Sequence, residues 1–425
     1  MSRQTGIRAA LATLILITTP AMADSLEADS IATDPLVTDS LVTVDQWIEE
    51  ALANNATLGA LQSAIEAAQA DVEGAGTWAD PVVKYGIAPE TLEGSNTVGH
   101  RFEVSQKLPW PDQLSADRQA SEAGVVAARQ NRLWEKRKLT ASIKETYARW
   151  WYLNRAIKLH HETRSLVEQL VEITRQRLEY GKGSQSALLR LETELDSLDA
   201  QLVDLQGEQK RLSASLIPLL GRQPKPTRLE LPMPVRLPTM PDNPAPVDHP
   251  LVQAAQARTA EARARLDAAE ANRRPRFTAS VGYNSLWADD RKRWVVGVGV
   301  QVPLSGQRQN SAVRKAAAKV SEHQWQATQT QRDLLASIAD TEAHIEASNL
   351  RLDILEERRL PNQRAHWQAI LNELSSGTGR LEDAIDSARQ LTGTELEKAA
   401  VIRDLFSARA RYEALLSMQT NPIPN

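Results

Sequence analysis

The sequence predicts a mainly α-helical fold that also contains four short β-strands per chain. Three observations lead to this prediction: long proline-free segments with helical periodicity, four shorter segments in which apolar residues alternate, and a duplication of the whole arrangement. Charged residues make up 24% and apolar residues 42% of the 425 residues, which is typical of a globular or coiled-coil protein. Beyond residue 20 there is no apolar run long enough for a transmembrane helix, so a helical membrane protein is excluded.

The residue counts exclude several functions. Lys plus Arg (50) nearly equals Asp plus Glu (54), so no basic excess points to nucleic-acid binding. Because cysteine is absent, the chain has no disulfide, thiolate metal site, cysteine nucleophile or lipid-modified N-terminal cysteine. The seven histidines and five methionines are dispersed, so we expect neither a metal site nor a cofactor. Nucleophile-elbow, P-loop and zinc-helix motifs are missing from the sequence, so we do not expect an enzyme.

The N-terminus predicts export from the cytoplasm. Arg3 and Arg8 precede an apolar stretch, 9–17, and Ala21-Met22-Ala23 supplies small residues at a cleavage position. Residues 1–23 are therefore expected to be a secretory signal peptide. The alternative is a buried N-terminal helix.

The chain contains two copies of one unit. Pro81 and Pro275 are 194 residues apart, and so are Pro109 and Pro303. A Gly-x-Gly pair at 181–183 recurs at 377–379. Such a period is far too long for a solenoid, so it indicates two fold units. We expect a first repeat, a proline-rich connector, a second repeat and a short tail, at 24–217, 218–250, 251–417 and 418–425.

The first repeat predicts a long helical hairpin. No proline interrupts the helix expected at about 112–180, which would be roughly 100 Å long at about 1.5 Å per residue. In the next helix, about 185–217, leucines recur at alternating spacings of three and four residues: Leu188, Leu191, Leu195, Leu198, Leu202 and Leu205. This heptad seam requires a partner helix. The glycines at 181 and 183 allow an antiparallel coiled coil with the preceding helix.

The second repeat predicts the same hairpin with a weaker apolar stripe. Its helices are expected at about 306–375 and 381–417. Pro361 lies inside the first of them and should kink or break it, since proline cannot donate the helical hydrogen bond.

Four segments predict strands with one apolar face. They lie at about 82–90, 98–107, 276–287 and 294–303, and the clearest alternation is Val296, Val298, Val300 and Val302. Each strand has the length needed to cross a bilayer when tilted. Trp287 and Trp294 flank a charged loop, 288–293, as aromatic residues at a membrane interface do. The alternative is a pair of hairpins packed on a soluble domain.

If these strands lie in lipid, their hydrogen bonds dictate an assembly. Each unpaired backbone group in hydrocarbon costs several kcal/mol, so the sheet must close into a barrel. Four strands are too few to close, so several subunits must share one barrel, and their helices would continue it as a tube. The expected fold class is therefore mainly α with a transmembrane β-barrel, in an oligomeric conduit.

These features resemble the TolC-type outer-membrane efflux proteins over about residues 44–417. The resemblance rests on the duplication, the Gly-containing helical turns, Val302-Pro303-Leu304 followed by Gly306, and the strand-to-helix segment 105–111 (SQKLPWP). It implies a homotrimer with a 12-stranded barrel in the outer membrane of a Gram-negative cell. A periplasmic helical tunnel would dock on an inner-membrane RND-type pump through a periplasmic adaptor protein.

The resemblance also implies the site residues. The segment 377–386 matches the closed periplasmic end, so Asp383 and Asp386 would line the aperture as rings that hold cations. The alternative is a solvated helix surface, where acids in the first turn favour the helix dipole. The turns that would contact the adaptor contain Gly181, Gly183, Ser184, Gly377, Gly379 and Arg380. This chain departs from the family in placing Arg380 one residue later than the usual arginine, and Ala187 where an acid is common.

The substrate and the rival function come from smaller features. The segments 78–81 (WADP), 89–91 (PET) and 108–111 (LPWP) resemble the branch that serves heavy-metal cation pumps. A metal would be passed through the channel without tight binding. The rival function is a soluble periplasmic adaptor or scaffold, which predicts one helical hairpin per chain and no membrane strands.

Overall fold

The computed structural model describes residues 44–88, 98–181, 183–221, 248–287, 289–303, 306–376 and 378–416. All of them belong to one unit, Leu41–Asn425. The expected signal peptide, 1–23, the tail, 418–425, and most of the proline-rich connector lie outside the described residues.

The described residues form long helices and one small antiparallel sheet, which confirms the predicted mainly helical class. The elements in chain order are α1 (Val44–Asn54), α2 (Ala56–Gly74), β1 (Val82–Ala88), β2 (Gly99–Leu108), α3 (Pro111–Glu179), α4 (Gln185–Leu220), α5 (Pro250–Ala271), β3 (Arg276–Asn284), β4 (Trp294–Gln301), α6 (Gly306–Ile354), α7 (Leu360–Ser376) and α8 (Leu381–Leu415). None of the described helices has the length and apolar character needed to span a membrane.

Helix α3 packs against most of the other helices. It begins with Pro111 at its first position, where a missing N–H costs no helical bond. It contacts α4, α5 and α8. The predicted leucine seam of α4 turns toward this core, since Leu191, Leu198 and Leu202 are buried. The two long helices of the first repeat therefore pack against each other along the leucine seam.

The two prolines inside helices behave differently. A π-helical turn, Leu355–Arg359, separates α6 from α7 immediately before Pro361. This confirms the predicted interruption, because the wider turn accommodates a residue that cannot donate a helical bond. Pro218 was expected to lie outside the helix, and this is wrong: it lies in the last turn of α4. Burial of the neighbouring Leu216 and Leu220 offsets the lost bond.

The second hairpin is shorter than expected. β3 ends at Asn284, not near residue 287, because beyond it the His100 N–H donates to the Ser285 hydroxyl at 2.7 Å and not to a backbone carbonyl. β4 ends at Gln301, since Pro303 cannot extend the hydrogen-bonded ladder.

His249 fastens the start of α5 to the helical core. Its ring is 1% exposed and meets the Trp134 ring edge-on at 5.2 Å. Its Nδ1 accepts a hydrogen bond from Leu251 N at 3.2 Å, which caps the helix and requires an unprotonated Nδ1. Burial, together with the positive charge of Arg137, lowers the pKa of His249 to about 4.

We expect His249 to make stability fall in mild acid. An unfolded histidine binds a proton below about pH 6.5 and the folded one only below about 4, so protons favour the unfolded chain between these values. Full stability is present above pH 6.5, and up to about 3 kcal/mol is lost on reaching pH 4. His249→Asn keeps an oxygen that can cap the helix but does not titrate. Thermal unfolding of both proteins at pH 7 and 4.5 should show the larger decrease for the wild type, and equal decreases would contradict this role.

Candidate functional site

The two helical turns share one glycine-dependent geometry. In the α3–α4 turn, a Cβ on Gly183 would lie 2.7 Å from the backbone N of Leu178. In the α7–α8 turn, a Cβ on Gly379 would lie 2.7 Å from the backbone N of Leu374. In each repeat the glycine approaches the backbone of the leucine five residues before it in the chain. The duplication therefore includes this close approach. Gly377, which was also expected to contact the adaptor, lies outside the described residues.

Local hydrogen bonds hold each turn. The Glu373 carbonyl accepts hydrogen bonds from Thr378 N at 3.1 Å, Gly379 N at 2.8 Å and the Ser376 hydroxyl at 2.9 Å, so the end of α7 is capped. In the first turn, Gly181 has a φ of 70°, which glycine adopts without strain, and Ser184 is the N-cap of α4.

The structure brings the two turns together at one end of the helices. Arg177 Nη2 donates to the Leu374 carbonyl at 2.7 Å, and Arg190 Nη1 lies 3.9 Å from Glu382 Oε1. Beneath the turns is a core formed by α3, α4, α7 and α8, whose buried members are Val167, Leu170, Val171, Leu191, Leu198, Leu374, Ala384 and Ile385. The described residues expected to contact an adaptor therefore form one surface at this end.

Asp383 and Asp386 lie on the exposed side of α8, opposite the buried Ala384 and Ile385. Asp386 Oδ1 is 4.0 Å from Arg389 Nη1. Arg380 pairs with Glu382 at 3.5 Å. The aperture role of the two aspartates stays a prediction.

Sequence reasoning missed an ion pair that joins the two repeats. Glu194 is buried, and its Oε1 accepts from Arg389 Nε at 2.8 Å, with a second short contact between Oε2 and Nη2. This hydrogen bonding raises the pKa of Arg389. A signal was present in the sequence, because Glu194 lies three residues after the buried Leu191 and four before the buried Leu198. An acid at such a position requires a partner.

The register of the sheet collects the alternating apolar residues on one face. The strand order is β1-β2-β3-β4, with all pairs antiparallel. One row across the four strands is Val83, Val104, Val281 and Val296. This face is uncovered in the single chain, since Val296 is 82% and Val298 71% exposed. An uncovered apolar face of this kind indicates contact with lipid or with another protein.

Aromatic residues border this apolar face at both ends. Near the β3–β4 loop, Tyr283 and Trp294 have ring centroids 5.3 Å apart, and Tyr85 and Phe102 are 4.6 Å apart. At the helical end, Trp110 meets Phe277 at 5.6 Å. Two aromatic rows with an aliphatic band between them are typical of membrane-spanning strands. Trp287 is exposed next to the loop, and its interfacial position stays a prediction.

The opposite face of the sheet is polar. It carries Lys84, Arg101, Glu103, Ser105, Lys107, Arg276, Thr278, Ser280, Asn284 and Gln301. Glu103 pairs with Lys84 at 3.6 Å and with Arg101 at 3.3 Å. Within the part of the chain that the structure describes, no group of three or more His, Asp or Glu side chains could hold a metal ion.

Together, the duplicated helical hairpins and the two-faced four-stranded sheet define the fold of this chain. The family model described as "Outer membrane efflux protein" matches residues 47–222 and 245–417. The chain therefore belongs to the outer membrane efflux protein family. It is a TolC-type outer-membrane factor, located in the Gram-negative outer membrane with its helices in the periplasm. No curated protein sequence gives a significant match.

Solved channel structures share this fold. CusC is 17% identical with a TM-score of 0.77, and the match covers 88% of this chain and 92% of CusC. The outer-membrane channel OprN is 19% identical with a TM-score of 0.78, over 88% of this chain and 89% of OprN. VceC from Vibrio cholerae is 18% identical with a TM-score of 0.75, over 88% of this chain and 95% of VceC.

We expect Gly379→Ala to destabilise the turn end. The added methyl would overlap backbone atoms of Glu373 and Leu374, and such overpacking costs about 1–3 kcal/mol. Gly393→Ala is the matched control, because Gly393 lies inside α8 with open space around its Cβ position, where alanine gains about 0.5–1 kcal/mol. The free energy of unfolding should decrease for Gly379→Ala and increase for Gly393→Ala. An unchanged free energy of unfolding for Gly379→Ala would contradict the close approach.

Proposed function

We propose that the protein is the outer-membrane exit channel of a tripartite efflux system. Three copies would form one 12-stranded barrel in the outer membrane, continued by a helical tunnel through the periplasm. The observation that carries the proposal is the four-stranded sheet with one apolar face, one polar face and two edges without a partner strand among the described residues.

The edges explain why one chain is not sufficient. β1 and β4 each offer a row of backbone groups that pair with no described strand. In hydrocarbon every such group must be satisfied, so β1 of one copy would pair with β4 of the next until the sheet closes. Closure would place the apolar face against outer-membrane lipid and the polar face around a water-filled lumen. The count of three copies rests on the family resemblance.

The opposite end of the molecule suits the partners that the resemblance implies. Both turns lie at one end and expose polar and apolar side chains, among them Ser184, Arg380 and the 80% exposed Tyr180. We propose that this surface meets a periplasmic adaptor, which links the tunnel to an inner-membrane RND-type pump. Asp383 and Asp386, three copies of each, would ring the narrow end and attract cations.

The adaptor alternative accounts for less of the molecule. It requires one helical hairpin per chain, whereas α3–α4 and α6–α8 make two, and it leaves the uncovered apolar sheet unexplained. Heavy-metal cations remain the substrate class suggested by the sequence resemblance. A strain lacking the gene should then accumulate metal, which elemental analysis of washed cells measures directly.

We expect Val298→Asp to weaken the assembly. On the apolar face, a carboxylate would lie in lipid and cost roughly 1–3 kcal/mol, less than arginine or lysine at the bilayer centre. Thr278→Asp is the matched control, because Thr278 lies on the polar face beside Lys107. The measurement is the temperature at which the detergent-solubilised trimer dissociates. Equal dissociation temperatures for the two variants would contradict the assignment of the apolar face to lipid.

We expect replacement of Asp383 and Asp386 with Ala to change ion flow. If they ring the aperture, removing them should raise single-channel conductance in planar bilayers or weaken block by divalent cations. Asp353→Ala, on the exposed side of α6, is the control for loss of a surface acid. If conductance and block both match those of the control, the two aspartates lie outside the aperture.

A further inference from the structure

The start of α6, at the junction between the sheet and the helices, is basic. From 294 to 321 the chain has four charged residues, Arg308, Arg314, Lys315 and Lys319, and the next acid is Glu322. This segment includes β4 and the first turns of α6, whose first turn contains no acid. Acids are the residues that normally favour the positive end of a helix, so placing Arg308 there opposes the helix dipole. Local conflicts of this kind are expected at functional sites.

A cavity lies at this junction. It has a volume of about 400 Å³ and is bounded by the end of α5, the start of β3, the end of β4 and the start of α6. Its polar lining is Asn272, Arg274, Arg276, Gln301, Arg308 and Gln309. A second cavity beside it, also at the start of α6, is lined in part by Arg273 and Arg314.

Two of the arginines in the first cavity, Arg276 and Arg308, have no carboxylate partner among the described residues. Arg274 pairs with Asp112 at 2.7 Å and lies over the Trp110 ring. Arg276 donates only to the neutral Asn272 side chain, at 2.9 Å. Within the described ranges, no carboxylate lies within salt-bridge distance of Arg276 or Arg308. Two free guanidinium groups on one cavity are suited to the paired oxygens of a phosphate or carboxylate.

The register places this cavity on the polar side of the sheet. Arg276 is paired with Gln301, and both belong to the same face as Lys107 and Thr278. The apolar residues Phe277 and Val300 point to the other side. If the apolar side meets lipid, as the proposed function requires, the cavity opens to the lumen. In that position its ligand would come from the lumen and not from lipid headgroups.

We propose that this cavity binds the oxyanion group of a dissolved phosphate- or carboxylate-bearing molecule, held by Arg276 and Arg308. The channel would then have acids at the end formed by the two helical turns, and an oxyanion site at the junction between the helices and the sheet. The lumenal position rests on the proposed function, but binding itself does not. The solutes retained at this level are therefore anionic.

The binding test uses the detergent-solubilised full-length chain and inorganic pyrophosphate, measured by calorimetry in about 0.15 M chloride. We expect the wild type to bind, and Arg276→Gln/Arg308→Gln to bind at least about tenfold more weakly because charge-assisted hydrogen bonds are lost. Arg276→Lys/Arg308→Lys keeps the charge but lacks the planar guanidinium groups. Its affinity for pyrophosphate should therefore lie between those of the wild type and the double glutamine variant. Lys158→Gln removes an exposed charge on α3 that does not line the cavity, and this variant should bind pyrophosphate like the wild type. Both arginines are exposed, so the variants should fold, and circular dichroism checks this.

Two results would overturn the proposal: no pyrophosphate binding to the wild type, or equal binding to the wild type and the double glutamine variant. A separate recording in planar bilayers tests the position. Pyrophosphate should block current through the wild-type channel but not through the double glutamine variant. Binding without any channel current would support the oxyanion site while contradicting the exit-channel function, so the two failures are distinguishable.

Discussion

The need of backbone groups for hydrogen-bond partners in hydrocarbon is the constraint on which the rest of the structure depends. A sheet of four strands with Val296 and Val298 uncovered can neither remain alone in water nor leave its edges unpaired in lipid. The proposed barrel shared between copies would satisfy both demands. The helices must then follow the strands, since α3 begins three residues after β2 ends and α6 follows β4 within a few residues.

The duplicated turns show how a long helical hairpin is closed. Each turn needs a glycine where the chain passes within van der Waals contact of a leucine five residues earlier. This arrangement permits α4 and α8 to fold back directly, so their apolar stripes meet those of α3 and α7 from the first turn onward. The Glu194–Arg389 pair then connects the two hairpins. One partner is buried, so loss of Arg389 would leave an uncompensated charge.

Charge is distributed unevenly along the molecule. Acids follow the second turn, where Glu382, Asp383 and Asp386 begin α8, and they also suit the positive end of that helix. The start of α6 has the reverse pattern, with Arg308 and Arg314 and no acid until Glu322. A solute moving along the lumen would therefore meet opposite potentials at the two levels.

The sequence alone determined the features that depend on spacing along the chain. The period of the leucines predicted α4 and its partner, the alternation at 296–302 predicted β4, and Pro361 predicted the break before α7, because periodicity and a missing N–H act within a few residues. Pro218 was misjudged because its place in α4 is decided by packing of Leu216 and Leu220 against α1 and α3, far away in sequence. Only the tertiary structure decided which strands adjoin, that one face collects the apolar residues, that Arg389 reaches Glu194, and that Arg276 and Arg308 share a cavity. These are contacts between distant segments, and spacing within a segment carries no information about them.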